Sequence, residues 1–142
     1  MRAVDFGGVE ATVQAALKTG FKGRFVYLTT MGVHERSWLI GVLDVVKWNI
    51  LRWRAAAERT LQDSGLDAVV VRAGLLTNGA AGAPLELKKG DRAVSLGTRV
   101  SRADVAEVLL AALTAPVLAR DISVITSATA SGNVGAIVLP SP

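Results

Sequence analysis

Cysteine is absent from this chain. That excludes disulfides, thiolate zinc sites and a cysteine nucleophile, and it agrees with the cytoplasmic location expected here. Histidine and tyrosine occur once each, as His34 and Tyr27. His34 opens a polar stretch that runs to Ser37 and has no second ligand near it, so no metal site is expected. No apolar run reaches the ~18 residues of a membrane span. The longest candidates are broken by Asp44 and Glu107, and no membrane partner is expected. Charge of one sign is also scarce: 16 basic against 12 acidic residues give a net charge of +4, spread along the chain. That argues only weakly for a polyanionic partner.

What is present suits one folded domain over residues 1–142. Hydrophobic residues make up 51% and charged residues 20%, the balance of a globular protein rather than a disordered one. A chain of this size hides roughly 68–70% of its unfolded surface, enough for a real core.

The apolar spacing alternates between helix and strand. Val9, Val13, Ala16 and Leu17 share one helical face, and Gly20 is a natural stop. Arg24-Phe-Val-Tyr-Leu-Thr-Thr30 is β-branched and aromatic and reads as a strand; without strict alternation, it is expected to be buried on both faces. A long helix follows over about 40–62, with Leu43, Val46, Ile50, Trp53, Ala57 and Leu61 on its core face. Lys47, Arg54 and Glu58 lie on a face read as solvated, where Arg54 and Glu58 are four residues apart and can pair. Trp48 and Trp53 stand among basic residues, but helical spacing assigns Trp53 to the core, and no nucleic-acid partner is expected.

Asp63-Ser-Gly-Leu is a turn, and Asp67-Ala-Val-Val-Val-Arg72 is a second strand, parallel to the first because a helix connects them. Leu75 to Gly90 reads as a long loop, with Arg92 to Leu96 as a short edge strand after it. Lys88, Lys89 and Arg92 read as a solvated cluster rather than a phosphate site. Ser101-Arg-Ala-Asp104 is a capping box for a helix whose buried stripe is Val105, Leu109, Ala112 and Leu113. Asp121-Ile-Ser-Val-Ile-Thr126 is a third strand, and Val134 to Leu139 offers a further one. This alternation predicts an α/β fold with a parallel sheet.

Ligands of such sheets bind beyond the carboxyl ends of the strands. Here those ends carry Thr29, Thr30, Met31 and Gly32 on one strand and Arg72, Ala73, Gly74 and Leu75 on the next. Gly74 permits a sharp turn or the close approach of a ligand. No Gly-x-Gly-x-x-Gly follows a strand, no phosphate loop is present, and no Ser-His-Asp set can be assembled.

Six stretches in order resemble one family: Val4-Asp5-Phe6-x-Gly8-Val9, Arg24 to Val33, Trp53-Arg-x-x-Ala57-Glu58-x-x-Leu61, Ser64 to Asp67, Val71 to Gly74, and Val100 to Ala106. Together they resemble the atypical short-chain dehydrogenase/reductases, NAD(P)-binding Rossmann proteins of the NAD(P)H-binding or NmrA-like kind. The resemblance implies the carboxyl-terminal half to two-thirds of such a domain, whether as a fragment, a truncated product or a short relative relying on a partner. It implies NAD(P), as NADH or NADPH, as cofactor and a small carbonyl or quinone-like substrate. It assigns Thr29, Thr30, Met31, Gly32, Arg54, Arg72, Ala73, Gly74 and Leu75 to the nicotinamide side, with Thr30 and Arg54 as the catalytic candidates. The family's Tyr-x-x-x-Lys pair falls on Ile50 and Arg54, so its proton donor is lost. Two readings stay open: an oxidoreductase or its remnant, and a non-catalytic redox-sensing or scaffold module. A sheet without its first strands also exposes an edge, and a homo-oligomer or a partner chain is expected to cover it.

Overall fold

Three parallel strands and one antiparallel strand form the main sheet, in the order Phe25–Thr30, Ala68–Ala73, Asp121–Thr126, Leu85–Lys89. The computed structural model describes residues 3–33, 38–95, 97–114 and 120–126, with only the backbone described at 3, 5 and 38–49. In chain order the elements are a π-helical turn (Ala3–Gly7), α1 (Gly8–Lys18), β1 (Phe25–Thr30), α2 (Trp38–Asp63), β2 (Ala68–Ala73), β3 (Leu75–Thr77), β4 (Leu85–Lys89), β5 (Arg99–Ser101), α3 (Arg102–Thr114) and β6 (Asp121–Thr126). The predicted stretches at His34–Ser37 and Val134–Leu139 lie outside the described residues.

Local chemistry sets the ends of these elements. Gly20 takes φ 65°, while its N–H reaches Leu17 and that of Phe21 reaches Ala16, which closes α1 with a Schellman motif. The backbone N–H of Asp104 donates to Ser101 Oγ at 2.9 Å, and Ser101 Oγ donates to Asp104 Oδ2 at 2.7 Å, so the expected capping box starts α3.

Side chains alternate across the sheet and build two cores. Val69, Val71, Ala73, Ile122 and Val124 meet Val105, Val108 and Ala112 of α3 on one face. Ala68 and Val70, with Phe25 and Tyr27, meet Val13 of α1 and Leu61 of α2 on the other. The sheet is thus sandwiched between helices, as a Rossmann-like α/β fold requires.

Four expectations change. The two-face burial expected of β1 belongs instead to β2, every residue of which is buried. Among the described residues β1 is an edge strand, and Leu28 is 40% exposed. The expected 75–90 loop holds β3 and β4; in β4, Leu85 and Leu87 alternate with Glu86 and Lys88, a period-2 pattern of a half-buried strand. Residues 91–95 form no strand, and the strand of this region is β5. In α3 the stripe contains Val108, while Leu113 is exposed, because the helix turns Asp104 and Val108 inward.

Candidate functional site

The carboxyl ends of β1 and β2 finish level. Thr30 pairs with Ala73, and the N–H of Met31 donates to Ala73 O at 3.0 Å. Beyond this line the two chains part. One passes through Met31 and Gly32; the other kinks at Gly74 into β3, which pairs with β5 in a separate two-stranded sheet. Ligands of open α/β sheets bind beyond the carboxyl ends of the strands, and the space beyond this pair of ends is the candidate crevice.

Thr29 and Thr30 are divided by the pleat. Tyr27 packs on the α2 side and Val26 on the α3 side, so Thr29 faces α2 and Thr30 faces α3. Thr29 is buried, and among the described residues its Oγ1 has no hydrogen-bond partner. Thr30 is half-buried at the lip of the strand. Met31 and Gly32 are both buried. Gly32 takes φ 78°, a left-handed conformation that favours glycine, and its N–H donates to Asp91 Oδ1 at 2.8 Å. The same oxygen accepts from the N–H of Arg92 at 2.8 Å.

Arg72 points into the protein. Its side chain is 2% exposed; NH2 donates to Glu58 Oε2 at 2.8 Å and NH1 to Asp121 Oδ2 at 3.2 Å. Burial alone would lower its pKa, but the hydrogen bond and charge of Glu58, helped by Asp121 and Asp91, raise it above the ordinary value. Glu58 is itself fully buried, which corrects its place on a solvated helix face: the cation that draws it inward is on β2, across the helix–sheet interface. Arg54 lies one turn earlier on α2, and Ile50 one turn before that, both half-buried.

Gly74 owes its identity to a chain crossing. A Cβ built there would stand 2.9 Å from the carbonyl carbon of Thr98, and closer still to its oxygen. That carbonyl accepts the N–H of Leu75 at 2.6 Å, which fixes the start of β3. Leu75 and Leu76 are exposed apolar side chains beside the crevice.

Asp104 does more than cap α3. Its Oδ1 accepts the N–H of Gly82 at 2.7 Å and so holds the Gly/Ala-rich loop between β3 and β4. Asp91, Asp121 and Thr98 carry no local signal that marks their partners, since each acts on a residue distant in the chain. A second cleft, of about 320 Å³ between Leu17, Phe21, Lys22 and Leu66, lies at the amino ends of β1 and β2, away from this crevice.

The residues at these strand ends offer groups for one end of an NAD(P)H cofactor only. The half-buried Thr30 hydroxyl and the exposed, apolar Leu75 suit the ring-bearing end of a dinucleotide. Among the described residues no glycine-rich turn between strand and helix cradles a pyrophosphate.

Comparison with known proteins agrees with this geometry. The family model described as NAD(P)H-binding matches residues 2–116, and the chain belongs to that family. Sanguinarine reductase of Eschscholzia californica is 36% identical over 114 residues, which are 78% of this chain and 40% of that protein. An uncharacterized chloroplastic protein of Arabidopsis thaliana is 35% identical over 112 residues, 78% of this chain and 34% of the relative. The chain thus spans well under half the length of these curated relatives. Among solved structures, an anaerobillin reductase from Escherichia coli O157:H7 superposes with a TM-score of 0.73 at 25% identity, covering 90% of this chain and 61% of that one. A putative NAD-dependent epimerase/dehydratase from Bacillus halodurans reaches 0.74 at 20% identity, covering 95% and 59%. The fold is therefore Rossmann-like and the family NAD(P)H-binding. No helix among the described residues is long and apolar enough to cross a membrane.

Proposed function

We propose that this chain supplies the nicotinamide side of an NAD(P)H-dependent reductase of the atypical short-chain dehydrogenase/reductase, NmrA-like kind, acting on a small carbonyl or quinone-like substrate. The carrying observation is the level carboxyl ends of β1 and β2, where the half-buried hydroxyl side chain of Thr30 stands at the end of its strand. A nicotinamide cofactor bound there supplies a hydride. Thr30 Oγ1 would hydrogen-bond the oxygen of the carbonyl whose carbon receives it, and Met31, Gly32, Ala73, Gly74 and Leu75 would shape the walls. Arg54 approaches from α2 as the second candidate for contact with cofactor or substrate. Arg72 serves the site from beneath, by tying β2 to α2 and β6, rather than by touching the cofactor. Two relatives that are reductases by name support this reading.

A second reading, a non-catalytic redox-sensing or scaffold module, is favoured by the edge of β1. Phe25 and Met31 direct their N–H groups to β2, so the backbone groups of Val26, Leu28 and Thr30 point to the open side. The segment Phe25–Thr30 has no charge, proline or bulge to protect it, the usual devices of a solvent-facing edge. A second copy or a partner chain covers it by strand addition.

One experiment separates these readings. NADPH and NADH are titrated against tryptophan fluorescence, quinone reduction is assayed, and the mass is read by light scattering in the same samples. Saturable binding with turnover is expected. Binding without turnover, in a stable assembly, would favour the module; no binding at millimolar cofactor and a clean monomer would refute both.

A further inference from the structure

Two turns far apart in the chain meet at a single carboxylate. Asp91 follows β4, and its Oδ1 accepts the N–H groups of Gly32 and Arg92, each at 2.8 Å. Gly32 lies 59 residues earlier, in the turn that leaves β1. Among the described residues, few other bonds hold that turn. Met31 is anchored by one backbone bond to Ala73, and Gly32 at φ 78° is the residue with the most backbone freedom to lose.

Asp91 is in turn held by its surroundings. Gly90 donates its N–H to Asp121 O at 3.1 Å and accepts the hydroxyl of Ser123, so the carboxylate projects from a turn fixed to β6. The charge of Asp91 also acts on Arg72, which sits beneath the site between Glu58 and Asp121. The carboxylate therefore links the turn at the mouth of the crevice to the ionic layer below it.

We propose that Asp91 is a positioning residue. By clamping the N–H of Gly32 it holds the Met31–Gly32 turn in the one shape that leaves room for a nicotinamide ring against the end of β1. The inference rests on the reading of the crevice as the nicotinamide side. A hydrogen bond to an ionised acceptor is stronger than a neutral one, so the clamp suits a carboxylate. An amide oxygen at the same place retains much of it.

The test compares Asp91→Ala and Asp91→Asn with the wild-type chain, by the ¹⁵N–¹H resonance and hydrogen exchange of Gly32, by urea unfolding and by NADPH titration. Alanine is expected to shift the Gly32 amide upfield, speed its exchange and weaken NADPH binding about tenfold, roughly the effect of losing one charge-assisted hydrogen bond. Asparagine is expected to restore the amide signature and to bind within about threefold of wild type, which lost stability alone would not explain. Should the alanine variant not fold, Asp91→Glu keeps the charge but moves the acceptor by one methylene, and the same loss of affinity is expected. An unchanged Gly32 amide, or equal weakening by alanine and asparagine, overturns the positioning role. Failure of the wild-type chain to bind either nucleotide while Gly32 still responds to Asp91→Ala overturns the reading of the crevice instead.

Discussion

Replacing Gly74 by alanine tests the crossing at the mouth of the site directly. Gly74 does not have a positive φ, so its backbone conformation is open to alanine and the penalty is steric. The new methyl would lie 2.9 Å from the carbonyl carbon of Thr98, nearer still to the oxygen, and 3.2 Å from Ile125 Cγ2. The first two are backbone atoms and cannot rotate away. Thr98 O is also held by the N–H of Leu75 at 2.6 Å, so relief requires β3 and the 91–98 segment to shift together. Overpacking of this kind costs about 1–3 kcal/mol. Weakening the Leu75 bond adds about 0.5–1.5 kcal/mol. The lower entropy of the unfolded alanine chain returns about 0.4–1 kcal/mol. A net loss of about 1–3 kcal/mol follows, a large share of the ~5–15 kcal/mol stability of an ordinary domain. With a urea slope of about 1–3 kcal/mol/M, the midpoint should fall by about 1 M. Tryptophan fluorescence reads the transition, since Trp53 packs on Phe6 at a ring-centroid distance of 5.8 Å, and circular dichroism checks that it is cooperative. Gly79→Ala is the control: its added methyl finds nothing nearer than 3.8 Å, and its unfolding free energy should stay within about 0.5 kcal/mol of wild type. Coincident melting of Gly74→Ala and wild type would refute the reasoning.

The buried pair gives a second prediction. Arg72→Met leaves Glu58 charged in the interior and should cost about 3–5 kcal/mol in urea unfolding, much of it recovered by the double change Arg72→Met with Glu58→Leu. Without such recovery the pair is not what the single change disrupts. The raised pKa of Arg72 means that its charge-dependent stability is present in full below the unfolded guanidinium value and is lost only as pH rises through the higher folded value. Unfolding near neutrality should therefore show no slope that Arg72→Met removes. Asp104→Ala removes the capping-box partner of Ser101 and the acceptor for Gly82, and should lower stability by about 1–3 kcal/mol. Hydrogen exchange at Gly82 should rise in this variant; unchanged protection there would show that the loop is held otherwise.

The local elements were legible because their signals are local. Asp121–Thr126 is a strand over the very residues whose β-branched run predicted it, and Ser101 and Asp104 cap α3 as their three-residue spacing implies. Gly20 ends α1 because only a left-handed residue completes the motif there. Leu85-Glu-Leu-Lys carries the period-2 signal of β4, but four residues are a short run beside the glycines and Pro84 before it. The strand ends carrying Thr29 to Gly32 and Arg72 to Leu75 were also recognisable in order. The division of Thr29 from Thr30 follows from the pleat once the inward face of β1 is known.

What spacing determined, then, is the alternation of helix and strand and the parallel pairing across a helical crossover; the family came from six motifs that resemble it in order. What only the tertiary structure decided is which polar groups meet. Glu58 is drawn from a helix face that reads as solvated to Arg72, Asp91 reaches Gly32 across 59 residues, and Gly74 yields space to the carbonyl of Thr98. The reason is physical. Periodicity reports the neighbours one or two turns away, whereas a buried carboxylate finds its donor by the path the whole chain takes through space.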